Sequence, residues 1–171
     1  MQQYIMQRTK APLAFLLAQV GAHAAMRFGE RLSRLNLTSP DAGILRMLGA
    51  SGGLSQQELS TRLGVHPSRL VAILDALEEQ RLVERRSNAD DRRQYALHLT
   101  EKGQGTLSEI GRVGREHMES LCAALTTAER EQLGELLQKI AIDQGLTPGV
   151  HPGYRRMRPG TKESKPKPAV E

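Results

Sequence analysis

Four arginines occur as two adjacent pairs, Arg85–Arg86 and Arg92–Arg93, on either side of a short polar segment. The run from Leu82 to Arg86 can form one strand, and Gln94 to Leu99 alternates as a half-buried strand does. Together these runs predict a β-hairpin with a basic tip. Guanidinium groups bind phosphate oxygens and fit the narrow, negative minor groove of A·T-rich DNA, so the tip predicts a nucleic-acid contact.

The residues ahead of this hairpin predict two short helices joined by a tight turn. Ser55 and Glu58 have the spacing of a capping box, which starts the first helix, and Gly64 suits the left-handed conformation that ends it. The second helix is predicted from about His66 to Gln80. Its core-facing stripe consists of Leu70, Ile73, Leu74 and Leu77. Such a pair is a helix-turn-helix, whose second helix enters the DNA major groove with its N-terminal residues at the base edges.

Candidate base contacts follow from this docking geometry. Ser68 and Arg69 lie at the start of the second helix, where Arg69 could pair with guanine O6 and N7. The alternative for Arg69 is a solvated side chain. Pro67 and His66 either contact a phosphate or only shape the turn.

Further candidates for DNA-backbone contacts lie at the start of the first helix and at the base of the hairpin. Ser55, Gln56 and Gln57 could bind phosphates through their amides and side chains. Arg85 and Arg86 either contact phosphates or only flank the strand.

The segments LSQQELSTRLGV and LVERRSNADDRRQYALHLTEKG resemble the winged helix-turn-helix of the MarR family, the multiple antibiotic resistance regulators. The most specific part is the wing signature Asp91-Arg92-Arg93, followed by the run from Leu99 to Gly103. The resemblance extends in order and spacing from about Ala11 to Gln144. It implies a mostly α-helical homodimer with a small β-hairpin wing, a winged helix-turn-helix domain and helical dimerisation arms.

The resemblance also assigns roles within the wing. It implies that Arg92 and Arg93 contact DNA and that Asp91 holds an arginine by a salt bridge. The family commonly has Gly where this chain has Arg81, so the recognition helix must either end on a residue other than Gly or extend differently.

A small aromatic or phenolic effector, bound between the dimer arms and the winged domain, is a further implication of the resemblance. We expect His23, Arg27 and Met47 to line that pocket, although packing at the dimer interface explains each of them equally well.

The predicted organisation is a flexible N-terminus over 1–10, a MarR-type domain over 11–146 and a disordered basic tail over 147–171. Within the domain, the winged helix-turn-helix spans about 38–100 and the dimerisation helices about 11–36 and 101–146. Three threonines are expected to cap helices: Thr38, Thr100 and Thr126. The helix that Thr100 caps is expected to reach about Leu125.

Composition narrows the class of protein. The chain has 171 residues, a net charge of +5 and one cysteine. From 147 onward there are six basic and two acidic residues, which is +4, so the rest carries only about +1. A single cysteine and the lack of a signal or membrane-spanning run predict a cytoplasmic protein without a membrane partner.

The sequence predicts no enzymatic or metal site and no cofactor. It contains no phosphate-binding glycine loop or nucleophile elbow, and its histidines lack paired metal-ligand spacing. Cys122 is expected to be a buried structural residue on the apolar side of a late helix, with a redox sensor as the alternative. The prediction is a sequence-specific DNA-binding regulator, a ligand-responsive repressor that binds a pseudo-palindromic operator as a homodimer. The alternatives are a winged-helix dimer acting through protein contacts and a non-specific architectural DNA binder.

Overall fold

In a computed structural model, the protein is described over residues 11–87 and 95–151, and these residues form six helices and three short strands. In chain order they are α1 (Leu13–Ser33), α2 (Ser39–Ser51), β1 (Leu54–Ser55), α3 (Gln56–Leu63), α4 (Pro67–Glu79), β2 (Val83–Ser87), β3 (Tyr95–Leu99), α5 (Glu101–Leu121) and α6 (Thr127–Asp143). This is the mostly helical fold with a small β-wing that the sequence predicts.

Aliphatic residues from α2 to β3 form the core of the winged domain. The leucine stripe of α4 supplies Leu70, Leu74 and Leu77, each completely buried. They pack with Leu59 of α3 and Leu97 of β3 in one cluster. Burial of several such side chains, at roughly 1.5–3 kcal/mol each, positions α3 and α4 against the sheet.

The sheet has three antiparallel strands in the order β1-β3-β2. The wing strands pair from Val83 with Leu99 to Ser87 with Tyr95. The two-residue strand β1 was not predicted, because pairing between Leu54 and Leu97 is a long-range contact that no local pattern indicates. Tyr95, Leu97 and Leu99 share one face of β3. Because Tyr95 is 57% exposed, only Leu97 and Leu99 of that face are buried.

Local capping signals start four of the helices. Complete capping boxes join Thr38 to Asp41, Ser55 to Glu58 and Thr126 to Glu129. Thr100 caps α5 by accepting a hydrogen bond from the Gly103 N–H at 3.0 Å. These starts confirm the predicted caps, whereas α5 ends at Leu121, short of the expected end near 125.

The arms formed by α1, α5 and α6 leave apolar side chains uncovered. None of the residues in α6 is buried, although its sequence is amphipathic. The exposed large apolar residues of the three helices include Leu13, Phe15, Leu16, Leu17, Val20, Met118, Leu121, Leu133, Leu136, Leu137 and Ile140. Over 11–87 and 95–151, no helix is both long and apolar enough to span a membrane.

The chain beyond α6 folds back in a turn. Val150 donates its N–H to the Thr147 carbonyl at 3.2 Å, and its side chain is half-buried against the core. Within the predicted tail, residues 147–151 are thus described by the structure, and Val150 packs against the core. The rest of the predicted tail, like the predicted flexible stretch 1–10, lies outside the described residues.

Candidate nucleic-acid interface

The turn between α3 and α4 is fixed by a buried hydroxyl that the sequence analysis did not single out. The Ser60 Oγ donates to the Val65 carbonyl at 2.6 Å, and Ser60 is only 7% exposed. Gly64 has a φ of +62° and its N–H bonds back to α3. The two bonds set the angle at which α4 leaves the turn, and hence the direction of the predicted recognition helix. A serine inside a helix gives no sequence signal of this role.

The N-terminus of α4 presents the candidate base contacts. Pro67 occupies its first turn and, like Ser68, is exposed. His66 makes no capping bond; its Nδ1 instead lies 2.9 Å from the Ser68 Oγ. Arg69 is half-buried and has a partner within the chain. The start of α4 is therefore accessible mainly through Pro67 and Ser68, while Arg69 is partly covered.

The N-terminus of α3 offers a second polar edge. The Ser55 Oγ accepts from the Glu58 N–H at 3.2 Å, while the Ser55 N–H and hydroxyl donate to the Glu58 carboxylate. These bonds, the backbone one first, lower the pKa of Glu58 below its usual range. Ser55 is thus engaged in capping, which leaves the exposed Gln57 and the half-buried Gln56 as the side chains able to face a phosphate.

Arg85 joins the wing to α4. Its guanidinium donates to Asp75 Oδ1 at 2.9 Å and also to the Glu78 carboxylate. The hydrogen bond to Asp75 is the main cause of a raised Arg85 pKa. With only 31% of its side chain exposed, Arg85 holds β2 against the recognition helix. The guanidinium of Arg85 thus has two carboxylate partners on α4, an arrangement that the sequence analysis did not predict.

Arg86 is the next residue on β2, and its side chain is exposed. Its guanidinium pairs with Glu84, two residues earlier on the same strand, through an Nε–Oε1 distance of 2.8 Å. The side chain keeps 59% exposure. An exposed pair of this kind is weak, so a phosphate could displace Glu84. Asp91, Arg92 and Arg93, the predicted wing tip, lie outside the described residues.

The residue that follows the end of α4 has a left-handed backbone conformation although it is not a glycine. Arg81 has a φ of +59°. Around it, the Leu82 N–H bonds to the Leu77 carbonyl at 2.9 Å and the Arg81 N–H to the Glu78 carbonyl at 2.8 Å. These are the two bonds of a Schellman motif, usually completed by Gly. The chain therefore turns from α4 into the wing with an arginine, not a glycine, in the left-handed position.

The same helix end is bonded to the start of α5. The Thr100 Oγ1 donates to the Arg81 carbonyl at 2.6 Å, and the Lys102 Nζ donates to the Gln80 carbonyl at 2.8 Å. At Gly103 a Cβ atom would lie 2.0 Å from the Leu82 carbonyl oxygen. This backbone contact joins the dimer arm to the end of the recognition helix.

Comparison with known proteins places this geometry in a family. The model of the MarR family matches residues 35–94, which include α2 to β2. The HTH-type transcriptional repressor Rv2887 of Mycobacterium tuberculosis is 32% identical over 133 residues, which cover 78% of this chain and 96% of that protein. The chain belongs to the MarR family.

Solved MarR-family structures share the fold. A crystal structure of Mycobacterium tuberculosis Rv2887 in complex with DNA is 32% identical and covers 76% of this chain and 98% of its own, with a TM-score of 0.64. A cysteine-to-serine mutant of E. coli MarR complexed with operator DNA is 28% identical, covers 76% and 94%, and has the same TM-score of 0.64. Rv2887 in complex with p-aminosalicylic acid is 31% identical, covers 77% and 99%, and has a TM-score of 0.62.

Two of the three residues predicted to line an effector pocket meet at a cavity between α1 and α5. This cavity lies within the arms and not, as predicted, between the arms and the winged domain. His23 and Arg27 line it with Arg31, His117, Ser120 and Leu121, and its volume is about 200 Å³. Met47 is not on this cavity; its side chain packs against the core and its carbonyl accepts a bond from Ser51. The sequence analysis missed Arg31, although its four-residue spacing from Arg27 places it on the same face of α1. It also missed His117, which lies on a different helix and gives no local signal.

The cavity is basic. Burial is the main cause of the lowered pKa of His117, followed by the nearby Arg31, His23 and Arg27. The His117 ring also lies 5.4 Å from the Phe28 ring. Cys122, expected to be buried, is half-buried at the end of α5, and its carbonyl accepts from the Arg130 Nε at 3.1 Å.

Proposed function

We propose that this MarR-family chain represses transcription by binding a pseudo-palindromic operator as a homodimer. The observation that supports this most directly is the exposed N-terminus of α4 beside a wing that Arg85 holds against the same helix. In a helix-turn-helix protein this end of the recognition helix meets the base edges. The relative Rv2887 is named a transcriptional repressor, and both Rv2887 and a mutant of E. coli MarR have been solved in complex with DNA.

The contacts divide between bases and backbone. Ser68, with Pro67 beside it, faces the major groove. Gln57 and Arg86, both exposed, face phosphates on either side of it. Arg92 and Arg93 enter the flanking minor groove from the wing tip, a role that rests on the wing signature in the sequence.

A second copy of the chain covers the exposed apolar arms. The uncovered side chains lie on α1, α5 and α6, although the single core cluster includes Leu32 of α1 and Ile110 and Val113 of α5. Soluble monomers rarely leave so extended an apolar surface in water. Two-fold pairing of these arms sets two recognition helices in successive major grooves, about 34 Å apart.

The effector is a small aromatic acid or phenol that binds the cavity between α1 and α5. His23, Arg27, Arg31 and His117 supply hydrogen-bond donors suited to a carboxylate or phenolate, and Phe28 supplies an aromatic face nearby. The complex of the relative Rv2887 with p-aminosalicylic acid supports this class of ligand. Binding would shift the arms and, through the bonds between α5 and the end of α4, change the spacing of the recognition helices.

Substitution of the wing arginine tests the DNA-binding part of the proposal. We expect Arg92→Ala to lower operator affinity at least about tenfold, equal to about 1.4 kcal/mol, and to leave the dimer folded. Arg115→Ala, an exposed arginine on α5, is the matched control and should bind normally. Unchanged affinity of Arg92→Ala at physiological salt would remove the wing from the interface.

A further inference from the structure

His66 and Ser68 form a polar pair at the start of the recognition helix. The His66 Nδ1 lies 2.9 Å from the Ser68 Oγ, which is hydrogen-bond distance, and both side chains are exposed. His66 occupies the N-cap position of α4 but makes no side-chain capping bond, so its ring is not what starts the helix. The ring is instead directed to the hydroxyl that the proposed function places at the bases.

The backbone fixes where these two side chains lie. Pro67 stands between them, and its ring fixes its own φ and restricts the residue before it to extended conformations. His66 accordingly has a φ of −62° and a ψ of 136°. Its carbonyl accepts from the Arg69 N–H at 3.0 Å and from the Leu70 N–H at 3.2 Å, and Leu70 is completely buried. The pair is therefore held to the core before any DNA is bound.

A serine hydroxyl on its own distinguishes bases poorly, because it can both donate and accept a hydrogen bond. A fixed partner removes this ambiguity. If Nδ1 accepts the hydroxyl proton, the lone pairs of Oγ are left for the DNA and can accept only from the amino groups of adenine or cytosine. If Nδ1 carries a hydrogen, the hydroxyl proton is left for the keto oxygen of guanine or thymine. His66 thus decides the hydrogen-bonding role of Ser68.

The surface of DNA favours one of these two arrangements. The outer nitrogen of an exposed histidine at this helix start meets phosphate oxygens, which accept hydrogen bonds and donate none. Nε2 is therefore the ring nitrogen that carries the hydrogen, and in a neutral imidazole Nδ1 is then the acceptor. In this arrangement Ser68 donates to Nδ1 and presents only acceptor lone pairs to the bases.

We propose that His66 is a positioning residue that accepts the proton of the Ser68 hydroxyl and so restricts the base facing Ser68 to adenine or cytosine. The proposal rests on the proposed operator-binding function, which places Ser68 in the major groove. A histidine that only shapes the turn would instead change the affinity for all sequences alike.

The test measures base preference in the duplexes that each full-length variant selects from a random pool. The base position that loses its preference in Ser68→Ala is the one that faces this hydroxyl. There the unaltered chain should favour adenine or cytosine over guanine or thymine on the contacted strand by about fivefold, roughly the ratio that one hydrogen bond provides. His66→Ala should lower this ratio to about one and leave the other positions of the motif unchanged. Because His66 makes no capping bond, the variant should fold normally.

A double variant is the matched control. In the Ser68→Ala background, His66→Ala should change the preference at no position, since the hydroxyl that it directs is absent. The proposal would be overturned by guanine or thymine at the Ser68 position, by a Ser68→Ala variant that alters no position, or by a His66→Ala variant that keeps every preference and only binds more weakly. An unaltered chain that selects no motif would instead overturn operator binding itself, so the two failures are distinguishable.

Discussion

Arg85 illustrates how a basic residue at a DNA-facing wing can be used inside the fold. Position alone gave it the same expected role as Arg86, since both follow an apolar strand start. The structure separates them: Arg85 turns toward Asp75 and Glu78 on α4, while Arg86 points to Glu84 and solvent. The sequence could not distinguish them, because the acidic partners of Arg85 come from a different element.

The positioning role of Arg85 predicts a coupling with Glu78. Arg85→Ala, Glu78→Ala and the double variant form a cycle whose interaction free energy should be about 0.5–1 kcal/mol in urea unfolding, since the pair is partly exposed. Arg85→Ala should also weaken operator binding, because the wing loses its fixed angle to α4. Additive unfolding free energies, with unchanged operator affinity, would contradict this role.

His117 predicts a pH dependence of stability. Its pKa is lowered in the folded chain, chiefly by burial and then by the nearby arginines and His23. The unfolded chain therefore binds a proton more readily, so this group makes stability fall as the pH drops below about 6.5 toward the lower folded value. Urea midpoints between pH 8 and pH 5 should show a smaller decrease for His117→Gln. Equal decreases in both proteins would show that His117 is not the group responsible.

At the scale of elements, the helix starts could be predicted from local sequence, whereas the contacts that fix the end of α4 could not. The capping boxes of α2, α3 and α6 involve residues three apart, so a short window of sequence contains the whole signal. The end of α4 depends instead on Arg81, Thr100 and Lys102, which meet only in the folded chain. For the same reason, the sequence could not connect the cavity residues of α1 with His117 on α5.

Alanine substitutions at two glycines of α5, Gly103 and Gly105, should have opposite effects on the stability of the chain. Gly103→Ala would place a Cβ against the Leu82 carbonyl oxygen, so we expect destabilisation of roughly 1–3 kcal/mol. At Gly105 a Cβ meets nothing within 4 Å. Gly105→Ala should therefore stabilise the chain by roughly 0.5–1 kcal/mol, the usual gain in a helix interior. Thermal unfolding of both variants measures the difference, and similar shifts would contradict the close contact at Gly103.

At the scale of the whole molecule, the apolar arms predict an obligate dimer. Leu137 is 43% exposed on α6, a helix in which no residue is buried within the described chain. Leu137→Glu should convert the dimer to monomer in sedimentation measurements and abolish operator binding at the same time. Glu135→Gln, at an exposed position of the same helix, should leave the dimer intact. A dimeric Leu137→Glu would place the interface elsewhere.

Hydrogen bonds between the start of α5 and the end of α4 also connect the arms to the recognition helix. The Thr100 and Lys102 bonds to the end of α4 connect the helix that carries His117 to the helix that carries Ser68. Under the proposed function, an effector between α1 and α5 would change the angle of α4 through these bonds, without touching it. This coupling is the physical basis on which the proposed repressor would respond to a small acid.

The central claim, a dimeric sequence-specific repressor, is tested most directly by selecting bound duplexes from a random pool at physiological salt and sequencing them. The account predicts a palindromic motif whose half-sites are centred about 10 bp apart, or one helical turn. Duplexes retained without any motif would contradict sequence-specific recognition by α4 and favour a non-specific DNA binder.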